Sequence, residues 1–190
     1  MKKMKILIIN GYPGKKGLTS ELSKVYYKFS KKAGNNVKLL TLYDLKFDLI
    51  LHEGYKGKQK IEPDLKKSQE LISWAEHIVL FYPIWWGSMP ALVKGFIDRT
   101  LIPEYAFIHE DGKFKKLLKG RTISIIATAG GPQFVYSLLS KTYYYLSSSL
   151  IFGFCGIKVK KVKIFGGIFP KANPKKIQKA INYVKKDCGL

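Results

Sequence analysis

The chain is poor in cysteine, arginine and acid. Cys155 and Cys188 are its only cysteines in 190 residues. Two cysteines are too few to staple a small fold, and this pair lacks zinc-ligand spacing. Its arginines are Arg99 and Arg121 alone, so lysine supplies almost all of the 34 basic residues set against 13 acids. The formal net charge is +21. Such a charge invites a nucleic-acid reading. Arginine's planar fork is what reads phosphates and base edges, and it is scarce here, so no specific nucleic acid is expected. The lysines are also spread along the chain. They read first as solvated faces, and second as a field that draws in phosphate-bearing cofactors or meets an anionic membrane face. The histidines and cysteines are too scattered for a metal site. No Gly-x-Ser-x-Gly elbow surrounds Ser88, so a hydrolase triad is unsupported. The most continuous apolar stretch, Leu146 to Ile157, holds three serines and is too short to span a bilayer. Met1-Lys2-Lys3-Met4 leads straight into a strand-like run rather than a secretory signal. A cytoplasmic location is the expectation.

What is present is a globular pattern. Hydrophobic residues make up 46% of the chain, and one domain over 1–190 with a substantial core is expected. Met4 to Asn10 reads as a first strand, nearly all apolar, as when both sheet faces are covered. Gly11 to Gly17 is a glycine-rich loop, and a helix follows from about Thr19 to Ala33. Val37 to Leu42 is a second strand, and Tyr43 to Ile61 is irregular. A helix from Pro63 to Ala75 leads into a strand from His77 to Tyr82. That strand is expected to end at Pro83, because proline cannot continue a central strand. A helix opens at Pro90 and runs to about Thr100. Asp111-Gly112 is a tight turn. Arg121 to Thr128 is a fourth strand, Tyr136 to Leu150 a helix, Lys158 to Ile164 a fifth strand, and Asn173-Pro174 begins the last helix. Strands alternating with helices give an α/β fold with a parallel sheet covered on both faces. Five strands fit the flavodoxin-like three-layer order, whose ligand crevice lies at the carboxyl edge.

Three predicted strands end in loops suited to a nucleotide. The first holds Tyr12, Gly17, Leu18, Thr19 and Ser20, with Lys15 and Lys16. Phosphate needs unpaired amides at a helix N-terminus, close backbone and a hydroxyl. The same residues also suit a plain turn and cap. The second loop runs Pro83-Ile84-Trp85-Trp86-Gly87. Adjacent residues point different ways, so both tryptophans are not expected in one core, and they offer a platform for a flat ligand. The third is Thr128-Ala129-Gly130-Gly131, with Tyr136 beyond it.

The second loop carries a resemblance. Pro83, Ile84, Trp85, Trp86, Pro90-Ala91, Lys94-Gly95, Phe96 and Asp98-Arg99 follow the flavin-binding signature of the NAD(P)H:quinone oxidoreductases, the DT-diaphorase-like family. The match continues through Glu104-Tyr105-Ala106-Phe107, and the third loop resembles the family's Thr-Thr-Gly-Gly with a tyrosine five residues on. The resemblance spans roughly Lys5 to Phe165.

It implies a homodimeric flavoenzyme that takes hydride from NADH or NADPH. Two electrons then pass to a quinone or similar acceptor in a ping-pong cycle. FMN is the expected flavin, with FAD the alternative. Phe107 and His109 are implied at the substrate pocket, though His109 equally suits a surface loop. Gly130, Gly131 and Tyr136 are the implied donors to reduced flavin. The family often has a histidine where Tyr12 stands, and one beyond the tyrosine where Leu138 to Tyr145 has none. Tyr136 is therefore read as a donor or as a structural aromatic. A flavodoxin-like FMN carrier and a regulatory subunit of a membrane transporter are the competing classes.

Overall fold

The computed structural model describes residues 3–55, 59–139, 144–169 and 173–188. Five parallel strands form the main sheet: β1 (Lys5–Asn10), β2 (Asn36–Thr41), β3 (His77–Ile84), β6 (Thr122–Ala129) and β7 (Lys158–Phe165). Their order is β2-β1-β3-β6-β7. This is the flavodoxin-like sheet that the sequence pattern predicts. Side chains alternate between faces along each strand, so two helical layers divide the apolar residues between them. Ile6, Ile8, Val79, Phe81 and Ile126 meet Leu22 and Tyr26 of α1 (Leu18–Lys32) and Ala180 and Val184 of α6 (Pro174–Asp187). Leu7, Ile9, Ile78, Leu80 and Ile125 face the other way. There they meet α2 (Pro63–Trp74), α3 (Ala91–Thr100) and α5 (Tyr145–Cys155). Among the described residues no helix is long and apolar enough to cross a membrane.

One local expectation is corrected, and two others are extended. β3 does not stop at Tyr82. It continues through Pro83, paired with Thr128, to Ile84, paired with Ala129. The Phe81 carbonyl accepts from the Gly11 amide at 2.7 Å, so Phe81 presents its polar groups to the β1 side. Pro83, two residues on, points the same way, and β1 has already ended at Asn10. The missing proline donor therefore faces no strand. The tight turn expected at Asp111-Gly112 is present, and it joins a hairpin that was not expected, β4 (Phe107–Glu110) with β5 (Lys113–Lys116). Both turn residues have positive φ, 51° and 73°. All four residues of β5 are exposed, so no apolar alternation announces it. The helix expected over Tyr136 to Leu150 is described on both sides of residues 140–143, as α4 (Gln133–Leu139) and α5, and so starts earlier and ends later than expected. α4 buries no residue fully, whereas α5 anchors itself through Ser148, Phe152 and Cys155. Residues 140–143, within that expected helix, lie outside the described residues.

One buried side chain gathers the irregular segment between β2 and α2. Arg99, 2% exposed, donates to the carbonyls of Asp48 at 2.9 Å and Lys60 at 2.9 Å and to the Glu62 carboxylate at 2.7 Å. Gly95, one turn earlier, lies so close to this segment that a Cβ would sit 2.7 Å from the Leu49 carbonyl oxygen. Arg99→Met leaves those carbonyls and Glu62 without their donor. It is expected to cost about 3–5 kcal/mol, the range for breaking a buried ion pair. Arg99→Lys restores the charge but not the fork, and is expected to recover only part of the loss. Urea unfolding measures both, and a loss under about 1 kcal/mol in Arg99→Met would mean the clasp is dispensable.

Candidate active site at the carboxyl edge of the sheet

β1, β3 and β6 are adjacent in the sheet, so the loops that follow them emerge side by side. β1 ends at Asn10, whose side chain does local work on both sides. Its Oδ1 accepts from the Tyr12 amide at 3.2 Å, and its Nδ2 donates to Ser20 Oγ at 3.1 Å. The loop thus folds back over the start of α1. Gly17 has no room for a side chain: a Cβ would fall 2.4 Å from the Tyr12 ring. Gly11 is equally confined, with Val93 at 2.5 Å and the Phe81 carbonyl at 2.8 Å from a Cβ built there.

α1 begins with Gly17 as its N-cap and no side chain accepts from its first amides. The N–H groups of Leu18, Thr19 and Ser20 lie in the first turn, where helix geometry gives no internal acceptor. This is the anion-binding end of a helix dipole. The hydroxyls expected beside those amides are placed differently. Thr19 and Ser20 are each 2% exposed, and Thr19 Oγ1 lies 2.7 Å from Thr128 Oγ1. These side chains brace the loop against the end of β6. The donors offered to a ligand are the amides.

After Ile84 the chain makes a two-residue turn. The Trp85 amide donates to the Ser88 carbonyl at 2.9 Å, and the Ser88 amide to the Trp85 carbonyl at 3.0 Å. Trp86 and Gly87 form the tip with φ of 49° and 71°. The Trp85 amide is thereby committed to the turn. Trp85 is half exposed and Trp86 wholly exposed. The Tyr144 hydroxyl, from just before α5, donates to the Gly87 carbonyl at 3.1 Å and steadies the tip. The sequence pointed to no role for Tyr144. It stands among several tyrosines, and spacing does not single it out.

The third loop leaves β6 at Ala129. Tyr136, half-buried on α4, lays its hydroxyl against Gly131, 3.0 Å from where a Cβ would be. The phenol and the Gly130-Gly131 backbone are therefore one cluster. A fourth loop joins it. The Gly167 amide donates to the Gly131 carbonyl at 2.6 Å, and the Ile168 amide to the Ala129 carbonyl at 2.8 Å. Gln133 closes the junction: its Oε1 accepts from the Gly166 amide at 2.8 Å and its Nε2 donates to the Ile164 carbonyl at 3.2 Å. Gly166-Gly167 directly after a strand was the available signal for this fourth loop, and it parallels Gly130-Gly131.

Phe107 and His109 are not brought to this edge within one chain. Phe107 sits among Tyr55, Phe114 and Phe154, with ring centroids 6.1, 6.1 and 4.9 Å away. None of these belongs to the strand-end loops. His109 tilts against Phe114 at 4.8 Å and is exposed.

The residues that do converge suit a flavin nucleotide. The α1 amides fit a phosphate, the aromatic turn fits the edge of a flat ring system, and Gly130, Gly131 and Tyr136 fit its polar rim. Comparison with known proteins bears on the fold and the family. A family model described as flavodoxin-like fold matches residues 4–187. An uncharacterized NAD(P)H oxidoreductase of Haemophilus influenzae is 31% identical over 146 residues, covering 74% of this chain and 72% of that protein. The ribosyldihydronicotinamide dehydrogenase [quinone] of Mus musculus is 27% identical over 190 residues, covering 86% of this chain and 82% of that protein. Among solved structures, an FMN-dependent NADH-azoreductase from Bacillus anthracis in complex with FMN superposes with a TM-score of 0.67. It is 21% identical and covers 97% of each chain, which shows the fold. The chain belongs to the flavodoxin-like family, in the branch that holds the NAD(P)H oxidoreductases of quinone-reductase type.

Proposed function

We propose that this chain is a single-domain, flavin-dependent NAD(P)H oxidoreductase that delivers two electrons to a quinone or similar acceptor. The observation that carries this reading is the meeting, at one sheet edge, of an uncapped helix N-terminus, an exposed aromatic turn and a donor cluster. FMN is the flavin proposed, the one named for the Bacillus anthracis neighbour; FAD is the alternative. The acceptor class follows the name of the mouse relative. Bound flavin supplies the two-electron chemistry, drawn from NADH or NADPH and given to the acceptor in alternating half-reactions.

The chain's own residues then have separable tasks. The amides of Leu18, Thr19 and Ser20 hold the phosphate, with the dipole of α1 behind them and the exposed Lys15 and Lys16 adding field. Trp85 and Trp86 wall the ring system and exclude water. The Gly130 and Gly131 amides and the Tyr136 hydroxyl donate toward the rim where negative charge collects, already fixed in place. Phe107 and His109 enter the substrate side from a second copy of the chain. Exposed Trp85, Trp86, Phe134, Leu138 and Leu150 suit a covered surface.

FMN at about 100 times its dissociation constant should stabilise the protein by about 2.7 kcal/mol. Thermal unfolding and tryptophan fluorescence report this directly. If neither FMN nor FAD changes either signal, the proposal fails.

Thr19→Val removes one member of the buried hydroxyl pair and strands Thr128. A stability loss of about 1–3 kcal/mol is expected, with weaker flavin binding. Adding Thr128→Val should cost less than the two single losses summed, because both partners are then apolar. Strictly additive losses in urea unfolding would show that the hydroxyls do not couple.

Tyr136→Phe keeps the ring and removes one donor. Flavin reduction by NAD(P)H should slow by roughly 10- to 1000-fold, bounded above by the loss of one oxyanion-type donor. The low end is expected, because the two glycine amides remain. Stopped-flow isolates this half-reaction. An unchanged rate assigns Tyr136 to packing. A wild type that binds flavin yet is reduced by neither nucleotide is an electron carrier instead.

A further inference from the structure

A separate pocket of about 250 Å³ opens between α4, α6 and the end of β7. Three ammonium groups line it, Lys163 from β7 and Lys176 and Lys179 from α6, beside Gln133, Phe165 and Ile168. Among the described residues no carboxylate lines it. Elsewhere on the molecule Lys24, Lys94 and Lys161 each sit against an acid. Among the described residues none of the three pocket lysines takes part in an ion pair.

Two of the three have neighbours that place them at the pocket wall. Lys163 Nζ lies over the rings of Phe165 and Tyr183, 5.6 and 5.3 Å from their centroids. Lys176 Nζ rests on the bare backbone of Gly167, where a Cβ would come within 2.5 Å of it. Three like charges gathered in one concavity repel one another, and an entering anion relieves that repulsion. A phosphate monoester carries about −1.5 to −2 charge at neutral pH, with three acceptor oxygens for three donors. Arginine would bind such a group bidentately, but lysine binds it as a point charge, and lysine is what this chain has.

The pocket is not remote from the flavin edge. Gln133 lines it and also binds the Gly166 amide and the Ile164 carbonyl. The Gly167 amide binds the Gly131 carbonyl, the same Gly131 that lies under the Tyr136 hydroxyl. One layer of backbone therefore forms both the donor cluster and a wall of the cationic pocket. A reductant whose nicotinamide stacks on a flavin held at the donor cluster needs a separate phosphate monoester to use this pocket selectively. NADPH carries one, its adenosine 2′-phosphate, whereas NADH carries only the pyrophosphate that both share.

We propose that the Lys163, Lys176 and Lys179 pocket receives the 2′-phosphate of NADPH and makes NADPH the preferred reductant. This rests on the oxidoreductase reading above and assigns it a specificity site.

The test uses the purified full chain saturated with FMN. Calorimetry compares adenosine 2′,5′-bisphosphate, 5′-AMP and inorganic phosphate. The bisphosphate is expected to bind at least about 10-fold more tightly than 5′-AMP, with an affinity that falls as salt rises. The triple variant Lys163→Gln, Lys176→Gln, Lys179→Gln should lose that difference. Lys176→Gln alone serves if the triple variant melts early. In stopped-flow, the ratio of kcat/KM for NADPH over NADH should fall toward one in the variants. Equal binding of the two nucleotides overturns the proposal, and so does a preference that survives the triple variant. Inorganic phosphate binding as tightly as the bisphosphate would also overturn it, by showing a general anion site. If neither NADPH nor NADH reduces bound flavin, the oxidoreductase reading falls, while the nucleotide titration still decides the pocket.

Discussion

The register of β3 against its two neighbours is the constraint on which the site depends. β3 is buried along its whole length and pairs with β1 on one side and β6 on the other. β1 is released first, at Asn10, opposite Phe81. β3 and β6 run on together to Ile84 and Ala129. That stagger opens a notch at the carboxyl edge, floored by the end of β1 and walled by the longer pair. The Gly11 amide fastens the β1 exit to the Phe81 carbonyl, and the Thr19–Thr128 hydroxyl contact fastens α1 to the end of β6. Loops alone would hold such a geometry loosely. Here each is tied to a strand end, so the donors are fixed before a ligand arrives, which is the condition for electrostatic catalysis.

The signature after β3 divides into two kinds of residue. Pro83 to Gly87 bring the turn to the edge. Lys94, Gly95, Asp98 and Arg99 lie on α3 and serve the fold. Lys94 and Asp98 pair along the helix at 2.7 Å, Gly95 admits the Leu49 backbone, and Arg99 gathers the segment between Asp48 and Glu62. A motif that looks like one binding element in sequence is thus an exposed turn at the sheet edge and a clasp for a long loop. The clasp matters because that loop brings Tyr55 against Phe107.

Strand order and the three glycine-bearing loops were legible in the sequence because they rest on local signals: apolar runs, glycine after a strand, proline before a helix. What was not legible rests on contacts between distant residues. Pro83 inside β3 depends on where β1 ends. The hairpin after Phe107 has a strand with no buried face. The buried hydroxyls of Thr19 and Ser20 read as ligand donors until Thr128 and Asn10 are seen beside them. Tyr144 and Gln133 act through carbonyls and amides on other loops, which no spacing rule reports.

Trp86 carries two costs at one residue. Its φ of 49° is a backbone region that glycine or asparagine fills with little strain. A large side chain there costs of order 1–3 kcal/mol. Its ring is also wholly exposed, so none of the apolar burial that a tryptophan offers is realised within the chain. A turn needed only to join β3 to α3 would be met better by Asn-Gly. The turn is nonetheless rigid: its two backbone hydrogen bonds and the Tyr144 hydroxyl hold the tip. Strain, exposure and rigidity together describe a side chain presented outward. The offsetting contacts must come from whatever covers it.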